Sequence, residues 1–107
     1  MRKDIKHIGD VLKILRNSLD ESQLVFAPRV KHTQTHLSLI ENGLRKPTDE
    51  LLQDISNIFS VPYTTLKLAQ FRFGFNGELD SEDVKKIFQI IDSNLKKFLP
   101  SVTSWSE

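Results

Sequence analysis

The segment from Ser22 to Pro47 limits the possible folds of this chain more than any other part of it. Its residues suit two short helices joined by a tight turn. Thr33 can cap the second helix, since its hydroxyl can accept a hydrogen bond from a free N–H of the first turn. Gly43 can end that helix because glycine takes positive φ at little cost, and Pro47 prevents the helix from continuing. The second helix is therefore predicted to span roughly ten residues.

The chain as a whole is predicted to be all-α. Leu and Ile dominate its apolar residues, Val is scarce, and no stretch alternates with a period of two. At 107 residues and 38% hydrophobic, it can bury one modest core. Apolar spacing and caps predict five helices. The first has an apolar stripe of Ile8, Leu12, Leu15 and Leu19, the second spans Ser22–Val30 and the third spans Thr33–Asn42. The fourth is capped by Thr48 and has the stripe Leu51, Leu52, Ile55, Ile58 and Phe59, and the fifth runs from Pro62 to about Phe71.

Many residues fall into one gapless register with a known DNA-binding pattern. They are Gly9, Leu12, Leu15-Arg16, Ser22-Gln23, Ala27, Leu37-Ser38, Ile40-Glu41-Asn42-Gly43, Pro47, Leu51, Ile55 and the segment from Phe59 to Pro62. On these residues the chain resembles the phage-repressor-like helix-turn-helix family, also called the Cro/C1 or XRE family, over approximately Ile8 to Leu68. The resemblance implies a five-helix lambda-repressor-like domain whose third helix enters the major groove of DNA.

The resemblance also implies a structural ion pair between Arg16 and Glu41. A bidentate guanidinium-carboxylate bond would fix the angle of the recognition helix against the first helix. The alternative is two exposed charges that never meet.

The start of the third helix supplies the candidate base contacts Gln34, Thr35 and His36, with Ser38 behind them. A glutamine amide can grip adenine, and a threonine methyl can touch the thymine methyl. The candidate phosphate contacts are Gln23, Asn42, Arg45 and Lys46. The alternative is that all of these are ordinary solvated side chains.

Positive charge is concentrated in the half of the chain that contains the predicted helix-turn-helix. Residues 1–47 hold nine Lys and Arg against five Asp and Glu, so this half carries +4 while the rest carries −3. The distribution therefore favours DNA as a partner more than the net charge of +1 suggests.

Several residues depart from the family pattern. Lys31 replaces the usual turn glycine and is expected to adopt a left-handed conformation at a cost of about 1 kcal/mol. His32 replaces an apolar residue, and Pro28 lies inside the predicted second helix, which it can kink. Leu24 and Val25 put apolar atoms where relatives show polar ones. They raise a rival hypothesis, a protein-binding adaptor or antirepressor of repressor ancestry that binds its partner through these two residues.

Asn76-Gly77 is a turn signal, and it predicts a boundary between a helix-turn-helix domain of residues 1–75 and a C-terminal element of residues 76–107. Asp80 or Ser81 is expected to cap an amphipathic helix there. The helix can fold back onto Phe71, Phe73 and Phe75 or pair with a second copy. Dimerisation is favoured because helix-turn-helix proteins commonly read two half-sites. The predicted interface is the stripe Val84, Ile87, Phe88, Ile91, Leu95 and Phe98.

The resemblance therefore implies a transcriptional regulator, expected to act as a repressor that binds a two-fold symmetric operator as a homodimer. An antitoxin that also neutralises a toxin is a further alternative. No catalytic constellation or cofactor loop is evident, so the chain is predicted not to be an enzyme and to need no cofactor. His32 and His36 have a spacing compatible with zinc but lack further ligands, and there is no cysteine.

The amino end, Met-Arg-Lys-Asp, leads into an amphipathic helix, which indicates neither a signal peptide nor a membrane span. The expected location is the cytoplasm, in a bacterial or phage-encoded protein.

Overall fold

The computed structural model describes residues 5–75, 77 and 81–103. This part of the chain is helical and contains no strand, so the predicted all-α class is confirmed. The predicted turn residue Asn76, the possible cap Asp80 and residues 1–4 lie outside the described residues. The helices are α1 (Ile8–Ser18), α2 (Gln23–Phe26), a 3-10 turn (Ala27–Val30), α3 (Gln34–Glu41), α4 (Asp49–Phe59), α5 (Tyr63–Gly74), α6 (Glu82–Phe98) and α7 (Pro100–Thr103).

Local signals fix the limits of α3 and α4. The Thr33 hydroxyl accepts a hydrogen bond from the backbone N–H of His36 at 3.1 Å. Thr48 caps α4 in the same way, accepting from the N–H of Leu51 at 3.1 Å. Gly43 follows α3 with φ at +78°. Each cap stabilises its helix by about 1 kcal/mol, so the two caps and the glycine stop are confirmed as the sequence predicts.

The second helix is shorter than the predicted span of Ser22 to Val30. It is α-helical only over Gln23–Phe26 and then tightens into the 3-10 turn that contains Pro28 near its start. Proline has no N–H to donate to an α-helical bond, so it fits better in the first positions of a new turn. Lys31 then adopts the expected left-handed conformation, with φ at +60° and ψ at +39°.

The core lies between α1, the helix-turn-helix pair and α4 to α5. It takes Leu12 and Leu15 from α1, Leu37 and Ile40 from α3, and Leu51 from α4, all of them buried. Leu19 was expected in the same stripe but is partly exposed, because α1 ends at Ser18 and Leu19 is only its C-cap. The remaining core residues are Ile8, Val11, Phe26, Ala27, Val30, Leu52, Ile55, Val61, Leu66, Ala69, Phe88, Ile91, Leu95, Leu99 and Val102.

Helix α6 folds back onto α5, which is one of the two arrangements that the sequence left open. Phe88, Ile91 and Leu95 are buried within the chain itself, and Val84 and Phe98 pack partly against the same core. Only Ile87 of the predicted set is well exposed, at 49%. An apolar stripe must be covered, but its period does not say by what, and here α5 of the same chain covers it.

Specific contacts fix the position of α6. The ring of Phe88 meets that of Phe75 edge to face, with centroids 5.0 Å apart. The Thr65 hydroxyl donates to Oδ1 of Asn94 at 2.8 Å, and Nε of Arg72 donates to Oδ1 of Asp92 at 3.0 Å. Ser81 occupies the N-cap position of α6 but makes no capping hydrogen bond through its side chain.

A short helix that the sequence pattern did not predict follows α6. Leu99 and Val102 are both buried, and α7 contacts α1 as well as α6. The C-terminal element thus helps to cover the first helix of the domain. None of the helices within the described ranges is long and apolar enough to cross a membrane.

Candidate nucleic-acid interface

The recognition helix α3 presents one face to the core and the opposite face to solvent. Leu37 and Ile40 are buried, and they anchor the helix. Gln34 and Thr35, at its N-terminal end, are exposed. The two residues proposed for base contact at the tip of the helix are therefore free of the chain's own packing.

His36 and Ser38, the other two candidate base contacts, are half-buried. The ring of His36 stacks on that of His32, with centroids 4.6 Å apart. Desolvation by this packing, together with the nearby His32 and Arg45, lowers the pKa of His36 below its ordinary value of 6.5. The lowered pKa favours the neutral form of His36 near pH 7, in which one ring nitrogen donates a hydrogen bond and the other accepts.

His32 takes the place that the family pattern gives to an apolar residue. Its Nδ1 lies 2.7 Å from the carbonyl oxygen of Val30, while its Nε2 is buried without a hydrogen-bond partner. The spacing of the two histidines is compatible with zinc, but the sequence offers no further ligands for it. In the described part of the chain, no group of three or more His, Asp or Glu side chains is placed to hold a metal ion.

A buried ion pair joins the end of α3 to α1. Arg16 donates through Nε to Oε2 of Glu41 at 2.8 Å and through Nη2 to Oε1 at 3.0 Å. Its Nη1 donates to the backbone oxygen of Glu21 at 2.6 Å. The structure thus brings together the two residues that the resemblance pairs, and the planar guanidinium fixes three segments of chain at once.

Gln23 joins the same network. Its Nε2 donates to Oε1 of Glu41 at 2.9 Å, a contact that sequence reasoning missed. The amide nitrogen carries two hydrogens, so one remains for a phosphate oxygen while the other binds the carboxylate. Gln23 therefore belongs to the hydrogen-bond network of the buried ion pair.

The remaining candidate phosphate contacts follow α3. Asn42 is exposed, and its Nδ2 donates to the hydroxyl of Ser38 at 3.4 Å. Arg45 and Lys46 are exposed and form no ion pair within the described ranges. They are thus available cations next to the recognition helix.

Two other cations of this region are already paired. Arg29 donates to a carboxylate oxygen of Glu21, and Lys31 lies 3.3 Å from Oδ1 of Asp54. The sequence counts all of these charges equally, so only the structure separates paired cations from unpaired ones.

The outer face of α2 carries an apolar pair. Leu24 is 67% exposed and Val25 is 56% exposed. They lie outside the core, as the sequence predicts for a patch that a protein partner could cover.

The family assignment rests on residues 12–66, which match the family model described as helix-turn-helix. The matched segment covers α2, the turn, α3, α4 and parts of α1 and α5. The chain therefore belongs to the Cro/C1-type helix-turn-helix family, also called the XRE family. This is a family of DNA-binding regulators of transcription and not of enzymes. Comparisons with curated proteins and with solved structures gave no match.

Proposed function

We propose that this protein is a repressor that reads a specific DNA sequence through α3. The observation that carries the proposal is the exposure of Gln34 and Thr35 at the start of a helix whose opposite face is buried. A helix presented in this way fits the major groove, where the residues at its N-terminal end contact base edges.

Each candidate contact has its own chemistry. The Gln34 amide can form a bidentate pair with adenine, and the Thr35 methyl can pack against a thymine methyl. His36 and Ser38 can contact the neighbouring bases. Gln23, Asn42, Arg45 and Lys46 would hold the sugar-phosphate backbone, which positions the helix without reading sequence.

The proposed binding form is a homodimer on a two-fold symmetric operator, located in the cytoplasm of a bacterium or in a phage-infected cell. The support is geometric. A recognition helix of eight residues reaches few base pairs, and a second copy one DNA turn away doubles the number of contacts. The dimer contact would lie outside the buried stripe of α6. Residues 76–107 would then serve as a packing element for the domain of residues 1–75.

Selection of bound fragments from a random DNA library tests this function directly. We expect an enriched site with two-fold symmetry and an affinity that falls steeply with salt. Gln34→Ala should relax the preference at one position of each half-site, since a bidentate contact contributes about 1–3 kcal/mol. Recovery of no preferred sequence would refute sequence-specific binding.

Variants that remove one positive charge distinguish a local phosphate contact from general electrostatic attraction to DNA. Lys46→Ala should weaken binding to all sequences and reduce the salt slope by about 1. Lys85→Ala removes the same charge from an exposed position of α6 and should leave the slope nearly unchanged. Equal effects of the two variants would mean that Lys46 makes no local contact.

The exposed pair Leu24 and Val25 favours a second function, that of an adaptor or antirepressor that binds another protein. An antitoxin would combine the two functions. The double variant Leu24→Ser, Val25→Ser should leave DNA affinity unchanged if the chain is a repressor alone. Absence of DNA binding at low salt, together with a stable complex with a co-encoded protein that this variant loses, would favour the adaptor.

A further inference from the structure

A cavity of about 710 Å³ opens beside the recognition helix. Its walls are the segment Gly43–Pro47, the first residues of α1 and the second half of α5, with Ile40 of α3 at its edge. Its volume lies within the range of about 300–1,000 Å³ that is typical of small-molecule sites. The cavity is therefore large enough for an organic ligand and lies next to the proposed DNA contacts.

Apolar side chains line much of this cavity, and two of them are exposed. Leu44 is 74% exposed and Phe71 is half exposed, and both line the cavity. Phe75 and Ile8 continue the apolar wall. An apolar ligand would cover Leu44 and Phe71, and the removal of this surface from water would stabilise the complex.

The described Lys, Arg, Asp and Glu residues that line the cavity are all basic. Arg45, Lys46 and Lys67 line it, and no Asp or Glu is among its described lining residues. Lys67 is already paired, since its Nζ lies 3.0 Å from Oδ1 of Asp49, a residue outside the lining. Arg45 and Lys46 form no ion pair with any described residue. The cavity is thus complementary to an anion with an apolar body.

We propose that the cavity binds a monocarboxylic acid with an apolar chain, and that this ligand weakens DNA binding. The carboxylate would meet Arg45 and Lys46, and the chain would lie over Leu44 and Phe71. The regulatory part rests on the proposed function, because Arg45 and Lys46 are also the proposed phosphate contacts. One anion then competes with the other for the same two cations.

Titration of the ¹⁵N-labelled full chain with decanoate, below its micelle concentration and without DNA, tests the binding site. We expect saturable shifts of the backbone amides of Gly43, Leu44 and Gly74. Hexanoate should bind more weakly, by up to about fourfold for each methylene lost from a fully buried chain. Decylammonium should cause no such shifts, since it carries the wrong charge.

Two variants locate the binding groups, and a third serves as a control. Arg45→Gln and Leu44→Ser should each weaken decanoate binding at least tenfold. Ile90→Ser changes a side chain that is 70% exposed on α6, away from the cavity, and should leave decanoate binding unchanged. Shifts that follow protein concentration instead of decanoate would show that a second copy fills the cavity and would overturn the proposal. Equal binding of decylammonium would do the same.

Coupling to DNA is measured separately, so that the two proposals can fail independently. Saturating decanoate should lower the affinity of the protein for its selected operator at least tenfold, and Leu44→Ser should abolish this effect while keeping its own DNA affinity. If decanoate binds and operator affinity stays the same, the regulatory claim is overturned. If the chain without ligand does not bind DNA, the proposed function is overturned instead, whereas the decanoate titration still decides the cavity.

Discussion

Gly9 in α1 lies so close to Ile40 in α3 that a Cβ at Gly9 would be 2.2 Å from the carbonyl oxygen of Ile40. The same Cβ would be 2.9 Å from the carbonyl oxygen of Glu41. Both neighbours are backbone atoms, which cannot move away without displacing the end of the recognition helix. Glycine at this position therefore sets how closely α1 and α3 can approach each other.

Gly9→Ala is accordingly expected to destabilise the fold by at least about 2 kcal/mol, as overpacking does where the surroundings cannot relax. The measurement is urea unfolding followed by circular dichroism. Gly74→Ala is the matched control because no atom lies within 4 Å of a Cβ built there. It should be neutral or stabilise α5 by up to about 1 kcal/mol. Equal unfolding midpoints for the two variants would contradict the close approach.

The pair of Arg16 and Glu41 predicts a strong energetic coupling. Both side chains are buried, and removal of either one leaves the other charge without its partner. Arg16→Ala and Glu41→Ala should each cost about 3–5 kcal/mol. The double variant should cost clearly less than the sum of the two, which a double-mutant cycle on the free energy of unfolding measures. Additive effects would mean that the ion pair contributes nothing of its own.

Arg16→Lys refines the same experiment. Lysine keeps the positive charge but cannot reproduce the two parallel bonds to Glu41 and the third bond to the Glu21 backbone. We expect it to recover only part of the stability that Arg16→Ala loses. Full recovery would show that charge alone, without the planar geometry, holds α3 in position.

Lys31 offers a stabilising substitution. Its φ of +60° is unfavourable for a residue with a Cβ, so Lys31→Gly should raise the free energy of unfolding by up to about 1 kcal/mol. The exposed pair with Asp54 is lost in this variant, but such pairs contribute little. Lys31→Ala loses the same pair and keeps the Cβ, so it should not be stabilised. A calorimetric unfolding temperature that rises equally in both variants would contradict this account.

Local chemistry explains which parts of the fold the sequence could predict. The caps Thr33 and Thr48 and the stop at Gly43 depend on hydrogen bonds and backbone freedom within a few residues, so their pattern is readable from the chain alone. By contrast, Pro28 divides the second helix, because a proline in so short a segment is better placed at the start of a turn than inside an α-helix.

The features that the sequence does not predict depend on contacts between residues that are far apart in the chain. The stripe of α6 indicates that one face is buried, but not whether α5 or a second copy covers it. Helix α7 has only four residues, too few for an apolar period to show. The bond from Gln23 to Glu41 spans 18 positions of sequence and depends on how α2 meets α3. For the proposed DNA contacts, the sequence predicts which residues they are and their order, whereas their exposure and pairing come from the fold.

Two neighbouring isoleucines test the position of α6. Ile91 is buried, whereas Ile90 is 70% exposed. Ile91→Ala should lower the free energy of unfolding by about 2–5 kcal/mol, and Ile90→Ala should change it by less than about 0.5 kcal/mol. The loss should be independent of protein concentration, since the contact is intramolecular. An Ile91→Ala effect that disappears at low protein concentration would instead restore the dimer interface first expected for this stripe.

His36 makes stability depend on pH. Desolvation, and then His32 and Arg45, lower its pKa in the folded chain below 6.5, so the unfolded chain binds a proton more readily. The contribution of His36 to the free energy of unfolding is therefore fully present above about pH 6.5 and is lost as the pH falls through the pKa of His36 in the folded chain. His36→Gln removes this proton linkage, so the wild-type chain should lose stability relative to the variant as the pH falls below about 6.5.

Unfolding of both chains in urea at matched pH values measures this difference, and a difference that stays constant would contradict the shift. DNA binding should show a pH dependence of the opposite sign. The negative potential of the DNA phosphates favours the charged form of His36 and raises its pKa in the complex. Operator affinity should then increase as the pH falls over the same range, and His36→Gln should flatten that increase. Low pH is thus expected to destabilise the free protein and to strengthen the DNA complex, both through the imidazole of His36. The two titrations together therefore distinguish a residue at the DNA surface from one that only packs against His32.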